Sequence, residues 1–372
     1  MNFTYAEPMG LSGQFKHCGN AFRVDSYRGC QHGCRYCFAN SRAGFHPKDE
    51  QAADVDKMAR TFHRALVMND TGHMTRELLA HRVPLHYGGM SDPFSPRESE
   101  FGVTRRILRL LADYDYPAMI STKGIVPDDY WELLSPGRIA LQVSLTTIDA
   151  EFATKHEPGA PTPLERLGVL RRAHEAGLWT SVRLQPIIDI EHSLRALRAA
   201  LPFVRFVTCE HLKVANDNFA VRKFYAEQLG SGAFYQPIQG RQYEVKAFLK
   251  RQNIERIKEA AHGIPVGVGD NDLHDLSDTM NCCGVDVAGP RFSNWLKYNA
   301  TFSLKGGDVG GEWSPMSDIR GSTMNEELLI PGLDKVSQYV DVFISQVKRG
   351  VRGNSPAANQ TDLFHDTAEE IT

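Results

Sequence analysis

The most evident chemistry in this sequence sits in one short run, YRGCQHGCRYCFAN at 27–40. It places Cys30, Cys34 and Cys37 in a C-x₃-C-x₂-C spacing, three thiols within eight residues. Iron–sulfur clusters are held by cysteine thiolates, normally four to a [4Fe–4S] cube. Three from one tight loop leave an iron without a protein ligand, open to chelation by a small molecule, and a reduced cluster can pass an electron into what it chelates. A structural zinc site is the competing use of these residues. Zinc asks for four protein ligands in paired spacing. No second pair stands nearby, and His32 inside the loop would make a cramped fourth ligand.

The chain has seven cysteines in all. Cys282 and Cys283 are adjacent in DTMNCCGVD and are candidate functional thiols, able to donate a hydrogen atom or sulfur or to help bind a second cluster. The alternative is burial of one of them as a small apolar side chain. Cys18, in KHCGN, is a weaker candidate, and Cys209 lies in an apolar stretch that reads as core.

Elements must exist to position these groups. Candidate strands are Phe22–Ser26, Val83–Tyr87, Ala118–Ser121, Ile139–Leu145, Thr180–Leu184 and Phe206–Cys209. Amphipathic stretches at Thr104–Ala112, Asp128–Leu134, Pro163–Ala176 and Ser193–Leu201 alternate with them. That rhythm predicts parallel βαβ units, an α/β fold whose six units form a partial (β/α)₆ barrel with C-terminal additions. A closed barrel fits the pattern too. Ligands of such folds bind at the carboxyl ends of the strands, where the cysteine loop falls. The expected organisation is an N-terminal extension (1–21), a barrel core (22–212), C-terminal additions with a last strand in PVGVGDND at 265–272 (213–351), and a disordered acidic tail (352–372).

The bulk properties are those of an ordinary globular chain: 372 residues, 42% hydrophobic, 23% charged, net charge -3. Nucleic-acid binding would therefore need a local patch, not a global field. No apolar run is long enough to span a bilayer, and MNFTYAEPMG lacks the features of a signal peptide, so a cytoplasmic protein without membrane partners is expected. Seven cysteines in a reducing compartment then point to metal or redox chemistry.

The cysteine motif and its flanks resemble the radical S-adenosylmethionine (SAM) superfamily, and within it the spore photoproduct lyase-like group. Similar blocks follow in order: GGMSDPF (88–94), STKG (121–124), QVSLTTIDAEFATKHEPGAPTPLERL (142–167) and GLWTSVRLQPII (177–188). The resemblance implies a [4Fe–4S] cluster and SAM as cofactors, with reductive cleavage of SAM to a 5′-deoxyadenosyl radical. It also implies how SAM is held. Ser91 and Asp92 would contact the methionine amino end, Lys123 and Ser144 would receive its carboxylate, and Tyr36 would lie against the adenine. The pairing of charges fits, since a carboxylate wants a cation and a hydroxyl and an ammonium wants a carboxylate. A one-electron donor of flavodoxin or ferredoxin type is implied as partner.

The pattern departs from spore photoproduct lyases proper at two positions. Those enzymes return a hydrogen atom through a cysteine two residues before the Ser-Asp pair and a tyrosine after the last cluster cysteine. Gly89 and Phe38 stand there. Neither donates a hydrogen atom readily, so the leading expectation is hydrogen abstraction from some nucleic-acid or nucleotide-like substrate, with Cys282 and Cys283 as candidate donors. Two other readings stand beside it: radical tailoring of a small metabolite or peptide, with or without sulfur transfer, and a non-catalytic iron–sulfur protein of the replication machinery. The last draws on Gln360-Thr361-Asp362-Leu363-Phe364, which resembles a sliding-clamp-binding peptide. The basic stretch Arg241–Lys258, interspersed with Glu244 and Glu255, reads more readily as a solvated helix face than as a phosphate tracker.

Overall fold

A computed structural model describes residues 4–5, 8–11, 22–41, 50–70, 72, 74–215, 218–229, 235–238, 242–270, 272–279 and 281–292. Its centre is an eight-stranded sheet. Seven strands run parallel in sequential order: β1 (Phe22–Val24), β2 (Leu85–Tyr87), β3 (Ala118–Thr122), β4 (Ile139–Ser144), β5 (Trp179–Ile187), β6 (Phe206–His211) and β7 (Val266–Val268). Met9–Leu11 adds an antiparallel edge strand beside β1. Among the described residues the ends of the sheet do not pair, which makes a partial barrel.

The crossovers are helical because their sequences carry helix starts. Asp54 caps α1 (Val55–Leu66) and Asp149 caps α3 (Ala150–His156). Thr162 and Glu165 form a capping box on α4 (Pro163–Glu175), with proline in its first turn, and Asp189 caps α5 (Ile190–Ala200). Between β2 and β3 lies α2 (Val103–Asp113). The helix expected at Asp128–Leu134 is a single 3₁₀ stretch, Asp128–Leu133, too short to extend into a full α-helix. The outer face of the sheet and the helices share one core, including Phe22, Val24, Ile120, Leu141, Val182, Val207 and Val266.

After β6 the chain adds a small antiparallel sheet of Lys213–Ala215, Tyr235–Ile238 and Gln242–Val245, and two helices, α6 (Phe219–Gln228) and α7 (Ala247–Ala260). The positive charges of α7 are committed internally. Lys250, fully buried, meets Glu244 at 2.9 Å and Asp272 at 2.6 Å, while Arg251, Arg256 and Lys258 pair with Asp275, Glu191 and Asp278. Three carboxylates converge around Lys250, whose ammonium fills the place a cation would take. Among the described residues, no helix is long and apolar enough to cross a membrane. Cys18, Arg241 and the tail carrying Gln360–Phe364 lie outside the described residues.

Candidate active site at the carboxyl edge of the sheet

The loop after β1 carries Cys30, Cys34 and Cys37 and is held by a segment more than a hundred residues away. Residues 155–159, KHEPG, run alongside it. Arg35 N–H donates to the His156 carbonyl at 2.9 Å, Gly159 N–H donates to the His32 carbonyl at 2.9 Å, and Arg35 Nε donates to the Lys155 carbonyl at 2.8 Å. A Cβ at Gly159 would stand 2.4 Å from the Gln31 carbonyl oxygen, so only glycine permits this approach. Between the two segments Tyr36 donates its hydroxyl to Glu157. Glu157 is fully buried against the equally buried Arg166, 2.6 Å away. Burial opposes its charge, but Arg166 and Lys123 outweigh that and hold the carboxyl below its ordinary range.

The strand ends bring the other expected residues to the same edge. Gly88, at φ +87°, turns the chain after β2 where a Cβ would meet the Ser121 carbonyl at 2.3 Å. The turn is fixed by Asp25, at the end of β1, whose Oδ1 accepts from Met90 N–H at 2.7 Å and Ser91 N–H at 3.1 Å. Asp92 is buried and both its oxygens are engaged. Oδ1 accepts from Phe94 N–H at 2.9 Å and the Thr122 hydroxyl at 2.6 Å, and Oδ2 accepts from Lys123 N–H at 2.6 Å. His32 Nε2 lies 3.2 Å from Oδ2, an ion-pair distance without the alignment of a hydrogen bond. These partners, His32 foremost, overcome the burial that opposes the charge and take the Asp92 carboxyl down to about 2.

Asp92 is therefore chiefly a bracket joining β2, β3 and the cysteine loop. The buried Ser91 hydroxyl beside it has no hydrogen-bond partner and is the better placed of the two to meet a ligand. Lys123 Nζ sits 5.6 Å from the centre of the Tyr36 ring, between the loop and β3. Ser144 ends β4, with its carbonyl accepting from Arg166 at 3.2 Å.

The barrel interior behind this edge is polar. His86 Nε2 is 3.1 Å from the Ser121 hydroxyl, which donates to Gln142 at 2.9 Å. Arg183 reaches Ser121 at 3.3 Å and Gln185 at 2.5 Å, Gln185 donates to Glu210, and Glu210 pairs with Lys213 at 2.5 Å. Below this ladder the floor is apolar, built from Met119, Ala140, Trp179 and Phe206 with Val285 and Phe292 of the segment after β7. That segment carries the cysteine pair. Gln142 Nε2 donates to the Cys283 carbonyl at 2.8 Å, Cys283 is buried in the floor, Cys282 is half-buried, and the two sulfurs are 3.8 Å apart. Cys209 is core, as expected.

The three loop thiols suit an iron–sulfur cluster. Burial pushes all three up, Cys34 to about 12, and Asp92 and the Cys34 thiol add to the effect on Cys30. Such thiols become thiolates only against a cationic centre, which iron supplies.

Sequence reasoning assigned no role to Asp25, Glu157, Arg166 or the Arg183–Lys213 ladder. The strongest available signal was that Glu157 and Arg166 lie inside one of the quoted blocks.

Residues 24–191 match the family model described as Radical SAM superfamily. An uncharacterized protein of Mycobacterium tuberculosis is 29% identical over 174 residues, 45% of this chain and 49% of that protein. An uncharacterized protein of Acidianus two-tailed virus is 27% identical over 190 residues, 50% of this chain and 60% of that protein. The chain thus spans about half the length of the mycobacterial relative. Among solved structures, spore photoproduct lyase complexed with dinucleoside spore photoproduct aligns with a TM-score of 0.47 and 12% identity, over 71% of this chain and 80% of that one. Streptococcus suis SuiB bound to S-adenosylmethionine aligns with a TM-score of 0.40 and 12% identity, over 56% and 48%. The segment bearing the three loop cysteines, Ser91, Asp92, Lys123 and Ser144 is a domain of the radical SAM superfamily.

Proposed function

We propose that this protein is an enzyme that binds one [4Fe–4S] cluster through Cys30, Cys34 and Cys37, holds SAM along the carboxyl edge of the sheet, and abstracts a hydrogen atom from a nucleic-acid or nucleotide-like substrate. When bound, the cluster and SAM supply a 5′-deoxyadenosyl radical. The residues of the chain do the holding. Ser91 accepts from the methionine amino group, Lys123 and Ser144 receive its carboxylate, and Tyr36 lies against the adenine.

The observation that carries the substrate class is the interior ladder Arg183–Gln185–Glu210–Lys213. Donors and acceptors alternate along it, which suits a ligand edge that also alternates, as a nucleobase or nucleotide does. Cys282, half-buried beside the barrel floor, is the candidate to return a hydrogen atom to the substrate carbon. One hydrogen atom would leave the substrate and one return from Cys282, and a further electron from the one-electron donor, with a proton, would restore the Cys282 thiol. A one-electron donor of flavodoxin or ferredoxin type must reduce the cluster. The exposed outer edge of its loop, at Gly33 and Arg35, is the accessible approach.

The test is anaerobic reconstitution with iron, sulfide, SAM and dithionite, assayed against duplex DNA, irradiated DNA, nucleotides and a metabolite extract. Expected are a four-iron cluster, its loss in each of the Cys30→Ala, Cys34→Ala and Cys37→Ala variants, and 5′-deoxyadenosine formation stimulated by a nucleic-acid or nucleotide substrate. A stable four-iron cluster in any of those variants would sink the ligand assignment. Stimulation only by the metabolite extract would transfer the reading to metabolite or peptide tailoring. Absence of SAM cleavage would leave the non-catalytic iron–sulfur protein.

A further inference from the structure

Tyr36 and Ser144 belong to opposite ends of the SAM site proposed above, one on the cluster loop and the other at the end of β4. A single buried chain of contacts joins them. The Tyr36 hydroxyl donates to Glu157 Oε1, which also accepts from the Thr146 hydroxyl at 3.1 Å. Glu157 Oε2 lies 2.6 Å from Arg166 Nη2, and Arg166 Nη1 donates to the Ser144 carbonyl at 3.2 Å. Glu157 and Arg166 have fully buried side chains.

A buried ion pair is weak evidence for stability as such, because desolvation takes back much of the attraction. Its geometry here does something else. Glu157 cannot move without releasing Tyr36, and Arg166 cannot move without releasing the end of β4. The Oε2–Nη2 contact is close yet not an aligned hydrogen bond, so the pair acts through charge and the specific bonds run outward, to Tyr36, Thr146 and Ser144. Lys123, whose ammonium faces the Tyr36 ring, is also within reach of the Glu157 field.

We infer that Glu157 is a positioning residue for SAM: it fixes the Tyr36 ring at the adenine side and, through Arg166, holds the Ser144 end of β4 at the carboxylate side. This rests on the SAM site proposed above. The side-chain partners of Glu157 are Tyr36, Thr146 and Arg166, so it acts on SAM through Tyr36 and Arg166.

The experiment measures dissociation constants for SAM and for methionine on anaerobically reconstituted protein, in wild type, Glu157→Gln, Tyr36→Phe and the double variant. Tyr36→Phe keeps the ring and cuts only the tether. Tyr36→Phe is expected to weaken SAM by about tenfold, the scale of one lost hydrogen bond to a charged group, Glu157→Gln by at least as much because it also loosens Arg166, and the double change no more than Glu157→Gln alone, because the Tyr36 tether is already cut. Tyr36→Phe should leave methionine affinity unchanged, so the preference for SAM over methionine falls. A purely structural role would lower the melting temperature and leave that preference intact, which would overturn the proposal, as would additive effects in the double variant. Glu157→Gln strands Arg166 as a buried charge; if it does not fold, Glu157→Gln with Arg166→Met removes both charges and carries the same expectation. A wild-type protein that assembles its cluster but binds no SAM would refute the underlying site, a result distinct from SAM binding with an unchanged preference.

Discussion

Replacing Asp92 with Asn keeps the volume of the side chain and breaks its logic. Each carboxylate oxygen now faces donors: Phe94 N–H and Thr122 O–H on one side, Lys123 N–H and His32 on the other. Whichever way the amide turns, its NH₂ group meets donors and one set of bonds is lost. Hydrogen bonds to a buried charged group contribute about 1.5–3 kcal/mol each. Linkage gives a second route to the magnitude. The carboxyl is held down to about 2 from 3.8 by His32, Thr122 and the Lys123 N–H, against the opposing burial. A depression of that size corresponds to roughly 2–3 kcal/mol of stability. The two routes agree. Because the folded value lies below the unfolded one, this contribution is fully present above about pH 4 and fades as pH falls toward 2. Urea unfolding followed by circular dichroism at pH 7 should show Asp92→Asn less stable by about 2–3 kcal/mol. The difference between wild type and variant should shrink as the measurement is repeated at lower pH. A loss under about 0.5 kcal/mol, the ordinary scatter of a surface change, or a difference that does not depend on pH, would refute the bracket.

Lys123→Ala should weaken SAM binding by about tenfold or more, a lost charge-assisted contact, with cluster content unchanged; equal affinity in equilibrium dialysis would contradict the assignment. His156 is held down to about 4, by burial first and Lys155 next, from an ordinary 6.5. Its neutral form therefore stabilises the fold fully above pH 6.5, and roughly 3 kcal/mol should be lost as pH falls from there to about 4; a melting-temperature profile that His156→Gln does not flatten in that window would exclude this source. A peptide spanning Gln360–Phe364 should bind a bacterial sliding clamp at micromolar concentration, about −8 kcal/mol, and lose it when Leu363 and Phe364 are both changed to Ala; no binding of the wild-type peptide at high micromolar clamp would make the motif a coincidence.

The parts of this molecule that follow local rules were legible in its sequence. Alternating apolar runs and helix periods gave the order of the six first strands, because strand and helix patterns act over a few residues. Ends shifted: β5 runs from Trp179 to Ile187, beyond the expected Thr180–Leu184, and the Asp128–Leu133 stretch tightened to 3₁₀. The cysteine spacing was equally local. What escaped was everything that depends on distant segments meeting. Nothing in KHEPG announces that its backbone will pair with a loop at 30–37, and no spacing rule connects Tyr36 to Glu157 across 121 positions. Asp92 illustrates the limit well. Its type and position suggest a ligand contact, but no local pattern announces that Thr122, Lys123 and His32 engage the carboxylate from three directions. The basic helix, read as a solvated face and not a phosphate tracker, does find carboxylates for its charges, from the segment after β7 and from α5, though Lys250 is buried.

The division of labour within the chain follows from where these groups sit. The residues proposed to hold a cluster and SAM lie between Cys30 and Arg166, inside the segment that matches the family model. The barrel interior is different. Arg183 and Gln185 belong to the matched segment, but their partners Glu210 and Lys213, the floor residues Val285 and Phe292, and Cys282 lie beyond residue 191. A domain that generates a radical needs a constant edge, whereas its choice of target depends on what faces that edge from inside. Exchanging Glu210 for Gln would therefore disturb the ladder through Gln185 and Lys213 while leaving the Tyr36–Glu157–Arg166–Ser144 chain untouched, because no contact of Glu210 reaches it among the described residues. On the proposed reading, the residues that would select a substrate lie largely in the second half of the chain and those that would hold SAM in the first.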